Sequence, residues 1–236
     1  MASMSGSAVL ETAVRTVAVL VPLALASGCM TATLEENRNL DTKIAEGEAV
    51  VLLAKPHVEG TSAEDDFMDC VGSKMAGRAG IRVQPNNDFQ DSMFPWFEPS
   101  TAPQRPEGVA QLLAKPAVRQ RMEENGVRYI VWVDGLTRQT DSGGSISCAI
   151  GPGGGGCIGF GWWEKESDYD AIVWDLEEAK SAGSVSTNVT GTSALVGAIV
   201  PLPFIARVQG TACDRLAEQL GAFLHGQDAS VAPAGT

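Results

Sequence analysis

The sequence predicts an α/β fold, a two-layer sandwich with helices packed on one face of a mixed β-sheet. Three observations carry this. Ala49–Ala54 is a continuous apolar run, the pattern of a strand buried on both faces, and Val127–Val133, a second run broken only by Arg128, is the strongest strand in the chain. Apolar stripes at helical spacing lie between these runs and again at the carboxy-terminal end. A glycine-rich hairpin and an alternating segment follow the second run. The element order is β-α-β-α-β, then a meander of three or four strands, then a helix, which is the signature of one sheet with a helical layer.

Each element has a local reason. Ala49-Val-Val-Leu-Leu-Ala54 is closed by Lys55-Pro56. A helix then opens near Ser62, with Asp65 three residues on in the manner of a capping box. Phe67, Cys70, Val71 and Met75 fall on one helical face, and Gly77 and Gly80 end it. Ile81–Gln84 is a short strand stopped by Pro85. Pro85 to Pro106 reads as a long loop carrying Phe89, Phe94, Trp96 and Phe97 among prolines. A helical region begins at Pro106; Pro116 restarts or kinks it, and Gly126 is a left-handed stop. Val127–Val133 is the strongest strand and ends at Asp134-Gly135. Gly144–Ile150 and Ile158–Trp163 form a hairpin, Asp168–Leu176 alternates, and Ser184–Thr190 returns after a turn. Ala194–Ala206, interrupted by Pro201 and Pro203, is expected as a strand, a lid over the sheet or an interface. Thr211 caps a last helix striped by Cys213, Leu216, Ala217, Leu220 and Leu224. Residues 227–236 are expected to be disordered.

At the amino-terminal end, Thr16–Leu25 is apolar but shorter than the roughly 20 residues a spanning helix needs. It suits the core of a signal peptide. Leu25-Ala-Ser-Gly-Cys29 resembles the lipobox of bacterial lipoproteins. The resemblance implies that residues 1–28 are removed, that Cys29 carries acyl chains including palmitate, and that the chain is tethered to a membrane. Met30, where Asp would favour inner-membrane retention, implies the periplasmic face of the outer membrane, with the inner membrane as the alternative. Residues 29–48 are polar and acidic and read as a linker, able to hold the domain up to about 60 Å from the lipid. Residues 49–226 then form a single periplasmic domain.

The net charge is −12, and removing Arg15 with Glu11 leaves it unchanged. This argues against a nucleic-acid partner, which requires a basic footprint. With Cys29 lipidated in an oxidising compartment, four cysteines remain to pair. Cys148 and Cys157 flank a glycine-rich turn, and Cys70 and Cys213 sit on two helical stripes. The expected bonds are Cys148–Cys157 and Cys70–Cys213, the second closing a long loop and contributing about 4–5 kcal/mol.

Val50-Val-Leu-Leu-Ala-Lys-Pro56, Gly126-Val-Arg-Tyr-Ile-Val-Trp-Val-Asp-Gly135 and Ile172-Val-Trp-Asp-Leu176 with Gly183-Ser-Val185 resemble, at the level of pattern, periplasmic lipoprotein domains of the TolB amino-terminal, LpoB and CsgG-like type. The resemblance implies the same two-layer α/β fold over most of residues 49–225.

Candidate chemistry is sparse. Asp141-Ser-Gly-Gly-Ser145 looks like a serine-nucleophile segment, but such a nucleophile needs a base, and the histidines are His57 and His225 alone. Gly151–Gly156 lacks the lysine and helix start of a phosphate loop. No ligand spacing points to a metal, and no cofactor is expected. Phe94, Trp96 and Phe97 are the candidate partner anchors, since exposed aromatics are common in interfaces; the competing reading folds them into a satellite core. The sequence therefore leads to a non-enzymatic adaptor or accessory subunit of an envelope assembly or secretion complex. Its partners would be envelope proteins and the membrane, with self-association open. A small-molecule-binding lipoprotein with a cavity beside Trp96, and a hydrolase using Ser142 or Ser145, are the alternatives.

Overall fold

The computed structural model describes residues 30–55, 63–98, 101–103, 106–152, 154–197 and 201–227. The signal segment, Cys29, His57, Ser62 and the tail after Gln227 lie outside the described residues. The elements in order are β1 (Met30–Arg38), β2 (Ala49–Ala54), α1 (Asp65–Arg78), β3 (Arg82–Gln84), α2 (Asn86–Ser92), α3 (Pro106–Leu113), α4 (Pro116–Asn125), β4 (Val127–Gly151), β5 (Gly154–Asp175), β6 (Lys180–Gly197), β7 (Pro201–Phe204) and α5 (Val208–Leu224).

The α/β class holds, with a mixed sheet in the order β1-β6-β5-β4-β2-β3 and β7 paired to β6. Where one domain was expected, the chain divides into two compact units. The larger takes in Thr31–Arg138, Glu166–Thr190 and the segment from Arg207; the smaller takes in Met30, Gln139–Lys165 and Gly191–Ala206. β4, β5 and β6 contribute segments to both.

In the larger unit, β2 runs parallel to β3 and to β4, with Val50 opposite Val83 on one side and Tyr129 on the other. Parallel strands are buried on both faces, and Ala49–Leu53 are all buried. The layering is accordingly fuller than a single helical layer. Val51, Leu53, Ile130, Trp132 and Trp174 pack with Phe89, Met93, Phe97, Val109, Leu113, Val118 and Met122 from α2, α3, α4 and the turn after α2. On the other face, Gly72 of α1 lies against Leu52, and Phe67 stacks on Tyr169 at 3.5 Å. Helix α5 packs against α1 on this side, and Cys70–Cys213 joins the two helices. Lys74 and Arg78 of α1 both pair with Asp214 of α5, at 2.7 and 3.2 Å.

Caps follow the sequence at α4. Pro116 begins the helix after Lys115, and Gly126, at φ +64°, donates its N–H to the Glu123 carbonyl as a left-handed C-cap. α5 starts at Val208, ahead of the Thr211 cap expected.

Two readings are corrected. Met30–Arg38 is strand β1, not a linker. It is a sheet edge beside β6, so its side chains stay largely exposed and its composition looks polar. Order comes from tertiary bonds. The N–H groups of Asn39 and Leu40 donate to the Ala182 carbonyl at 2.8 and 3.1 Å. Arg38 donates to Thr42 Oγ1 and to the Phe223 and Gln227 carbonyls, and lies over the Phe223 ring. Second, Asp134-Gly135 does not end a strand, and β4 runs through it. At Gly135, φ is +127° and a Cβ would meet the Asp168 carbonyl oxygen at 2.0 Å. Glycine here permits close strand approach rather than a turn.

The smaller unit is a ribbon built from the distal parts of β4, β5 and β6 with β7. Thr140 donates to Glu164 at 3.0 Å across β4 and β5, and Cys148–Cys157 bridges them nearer the turn. β7 is antiparallel to β6, with Leu195 opposite Pro203 and Gly197 opposite Pro201. Prolines in strands belong at sheet edges.

Candidate functional site

The aromatic segment expected as a loop holds helix α2. Phe89, Met93 and Phe97 are fully buried, and Phe89 and Phe97 meet edge-on at 5.0 Å. Trp96 is half-buried, with the Arg121 guanidinium 5.8 Å from its ring centre. The segment is tied to α4: Arg121 donates to the Ser92 carbonyl at 2.9 Å and Asn125 to Ser92 Oγ at 3.0 Å. Of the three aromatics named as partner anchors, Phe97 belongs to the core. Phe94 alone stands out, 62% exposed.

A pocket of about 610 Å³ in the larger unit is lined by Glu48, Leu113, Arg119, Met122, Arg128, Leu176 and Glu177 among others, and not by Trp96. Its arginines are already engaged. Arg119 donates twice to the Leu113 carbonyl, at 3.2 and 3.1 Å. Arg128 pairs with Asp175, with Glu177 at 3.2 Å and with Glu48 at 3.7 Å, and lies 5.0 Å from the Tyr129 ring centre. Burial opposes charge on Arg128, but Asp175, Tyr129 and Glu177 outweigh it and hold its pKa above the usual value. Asp175, buried, also accepts the N–H groups of Glu177 and Glu178 at 2.9 Å each, shaping the β5–β6 turn.

On the α1 side, the Tyr169 hydroxyl donates to the Glu64 carboxylate, which also accepts the Thr137 N–H at 3.1 Å. The Thr137 hydroxyl lies 2.7 Å from Ser167 Oγ and 3.0 Å from the Tyr169 oxygen. Burial, then the bond to Glu64, pushes the Tyr169 phenol up to about 12. A second pocket, of about 410 Å³, is lined by Lys55, Trp132, Asp134, Asp170 and Ile172 among others. Burial, then neighbouring Asp168, Asp134 and Glu35, raises the Asp170 pKa.

The serine-nucleophile candidates Ser142 and Ser145 are exposed in the smaller unit. His225 belongs to the larger unit and donates from Nε2 to the Ala79 carbonyl at 2.9 Å. Among the described residues no group of three or more His, Cys, Asp or Glu side chains is placed to hold a metal. Both disulfides form with the expected pairing. No described helix is long and apolar enough to cross a membrane.

The smaller unit carries the exposed apolar side chains that the sequence reading did not single out: Ile150 at 94%, Ile158 at 73% and Phe160 at 48%. A signal for them was present. From Ser142 to Trp163, and from Gly191 to Ala206, there is no charged residue, in a chain where 19% are charged.

No family model matches the chain, and no curated protein matches it. Among solved structures, the chain is similar to the PelC dodecamer from Paraburkholderia phytofirmans, at 12% identity over 82% of this chain and 98% of that one, with a TM-score of 0.41. A substituted form of the same PelC dodecamer matches at 12% identity over 84% and 99%, with a TM-score of 0.39.

Proposed function

We propose that this protein is a non-enzymatic accessory lipoprotein of the bacterial envelope, held at the periplasmic face of the outer membrane through Cys29, and that its larger unit docks an envelope protein at Phe94. The observation that carries the docking surface is the contrast within one turn. Phe89, Met93 and Phe97 fill the core while Phe94 projects from the same turn at 62% exposure. A rigid, core-anchored turn presenting one phenylalanine is a pre-organised anchor, because little conformational freedom is lost when it is buried by a partner. The lipobox-like Leu25-Ala-Ser-Gly-Cys29 supports the tether.

A photo-crosslinking amino acid at position 94 tests the docking. It is expected to yield one discrete protein adduct in envelopes, and the same group at exposed Gln120 none. Equal adducts from both positions, or none from position 94, would remove the reading. Incorporation of labelled palmitate, lost in Cys29→Ser, tests the tether separately.

A further inference from the structure

We infer that the ribbon of the smaller unit is a membrane-contact surface, seated shallowly in the interfacial zone of an uncharged bilayer leaflet. Ile150, Ile158 and Phe160 lie near its turn with their side chains in solvent, and exposed apolar groups concentrated in one place mark a surface that something covers. What covers it follows from charge and from chain position.

The charge pattern excludes an electrostatic partner. No charged residue lies between Ser142 and Trp163 or between Gly191 and Ala206. Nucleic acid and anionic lipid are both recognised through clustered cations, which these segments lack. A neutral lipid interface requires no counter-charge and rewards apolar burial alone, at roughly 25 cal/mol per Å². Chain position points the same way. Met30 belongs to the same compact unit as the ribbon, and Cys29 is its covalent neighbour, about 3.8 Å away between Cα atoms. Acyl chains on Cys29, as in the proposed function, therefore enter the bilayer beside this unit, with no linker between them. Trp162 and Trp163, half-buried just before Glu164 and Lys165, are the residue type that settles at headgroup level.

Depth is limited by the backbone. An open ribbon leaves edge N–H and C=O groups unpaired, which hydrocarbon does not tolerate, and Pro201 and Pro203 interrupt the edge strand further. Contact is therefore interfacial, made by the turn end.

Tryptophan quenching on vesicles of brominated phosphatidylcholine tests this with the full chain. Quenching is a local readout, so it reports the ribbon even where the amino-terminal segment or an acyl chain also holds the protein to the vesicle. Strong quenching is expected, insensitive to salt, and reduced at least threefold in Trp162→Phe/Trp163→Phe. The Ile150→Ser/Ile158→Ser/Phe160→Ser variant changes only exposed side chains and is expected to keep the parent circular dichroism while losing quenching by a similar factor. Quenching that survives either variant unchanged, or that requires anionic lipid, overturns the inference. So does a photo-crosslinker at Ile158 that captures a second copy or another protein instead of phospholipid. Because quenching needs no acyl group, it remains informative in Cys29→Ser, where loss of labelled palmitate reads the tether independently.

Discussion

The hydroxyl of Tyr169 donates its hydrogen to the carboxylate of Glu64, the residue at the N-cap position of α1. Tyr169 is fully buried, with its ring stacked on Phe67 one turn into the same helix. One side chain on β5 thus fixes α1 through both an apolar face and a polar tip. Tyr169→Phe retains the stack and removes this bond from Glu64, which keeps the Thr137 N–H. The expected cost is about 1–3 kcal/mol in urea unfolding.

The same pair sets an alkaline limit. The phenol titrates at about 12 in the folded chain against 10.0 ordinarily, because burial and then Glu64 disfavour its anion. A raised folded value means that the neutral form is bound more tightly in the native state. Its stabilisation is complete below about pH 10 and is lost as pH rises toward 12. Stability measured from pH 9 to 12 is expected to fall more steeply for the parent chain than for Tyr169→Phe.

The two disulfides are expected to differ in weight. Cys70–Cys213 spans 143 positions and Cys148–Cys157 spans 9. Loop-closure entropy assigns about 5 kcal/mol to the first and about 2.5 to the second. Equilibrium denaturation of Cys70→Ser/Cys213→Ser should show the larger loss in the larger unit. In Cys148→Ser/Cys157→Ser the transition of that unit should be nearly unchanged, with added protease sensitivity confined to residues 139–165.

Arg128→Ala leaves Asp175, whose side chain is 2% exposed, without its cation. Breaking a buried pair on one side costs about 3–5 kcal/mol. Arg128→Lys should recover only part of this, because a compact ammonium lacks the planar fork that reaches Asp175 and Glu177 together. Urea titration of the three chains checks the order.

How far the sequence disclosed the fold depends on whether the determinants were local. Pro116 and Gly126 bound α4 by backbone chemistry, and both were legible. The run Ala49–Leu53 announced a strand covered on both faces, as found. β1 was hidden because an edge strand needs no apolar alternation; its order resides in partners such as Ala182 and Phe223, far along the chain. In the aromatic segment, prolines masked a stripe that was present: Phe89, Met93 and Phe97 are spaced by four, and Phe94 falls off it. That spacing separates the buried aromatics from the exposed one. The full length of the ribbon was hidden because Asp134-Gly135 resembles a strand end and Asp141–Ser145 a polar turn, whereas β4 continues through both and β5 runs on past Trp163 to Asp175. The exposure of Ile150 and Ile158 follows from that extension.

The bond between α1 and α5 has a further consequence for the life of the molecule. Every segment of the smaller unit beyond Met30 lies between positions 70 and 213. A single cut in the ribbon therefore releases nothing: the amino-terminal and carboxy-terminal fragments stay covalently joined through sulfur. A clipped chain would migrate as one species until reduced, and any tether at its amino-terminal end would still hold both pieces.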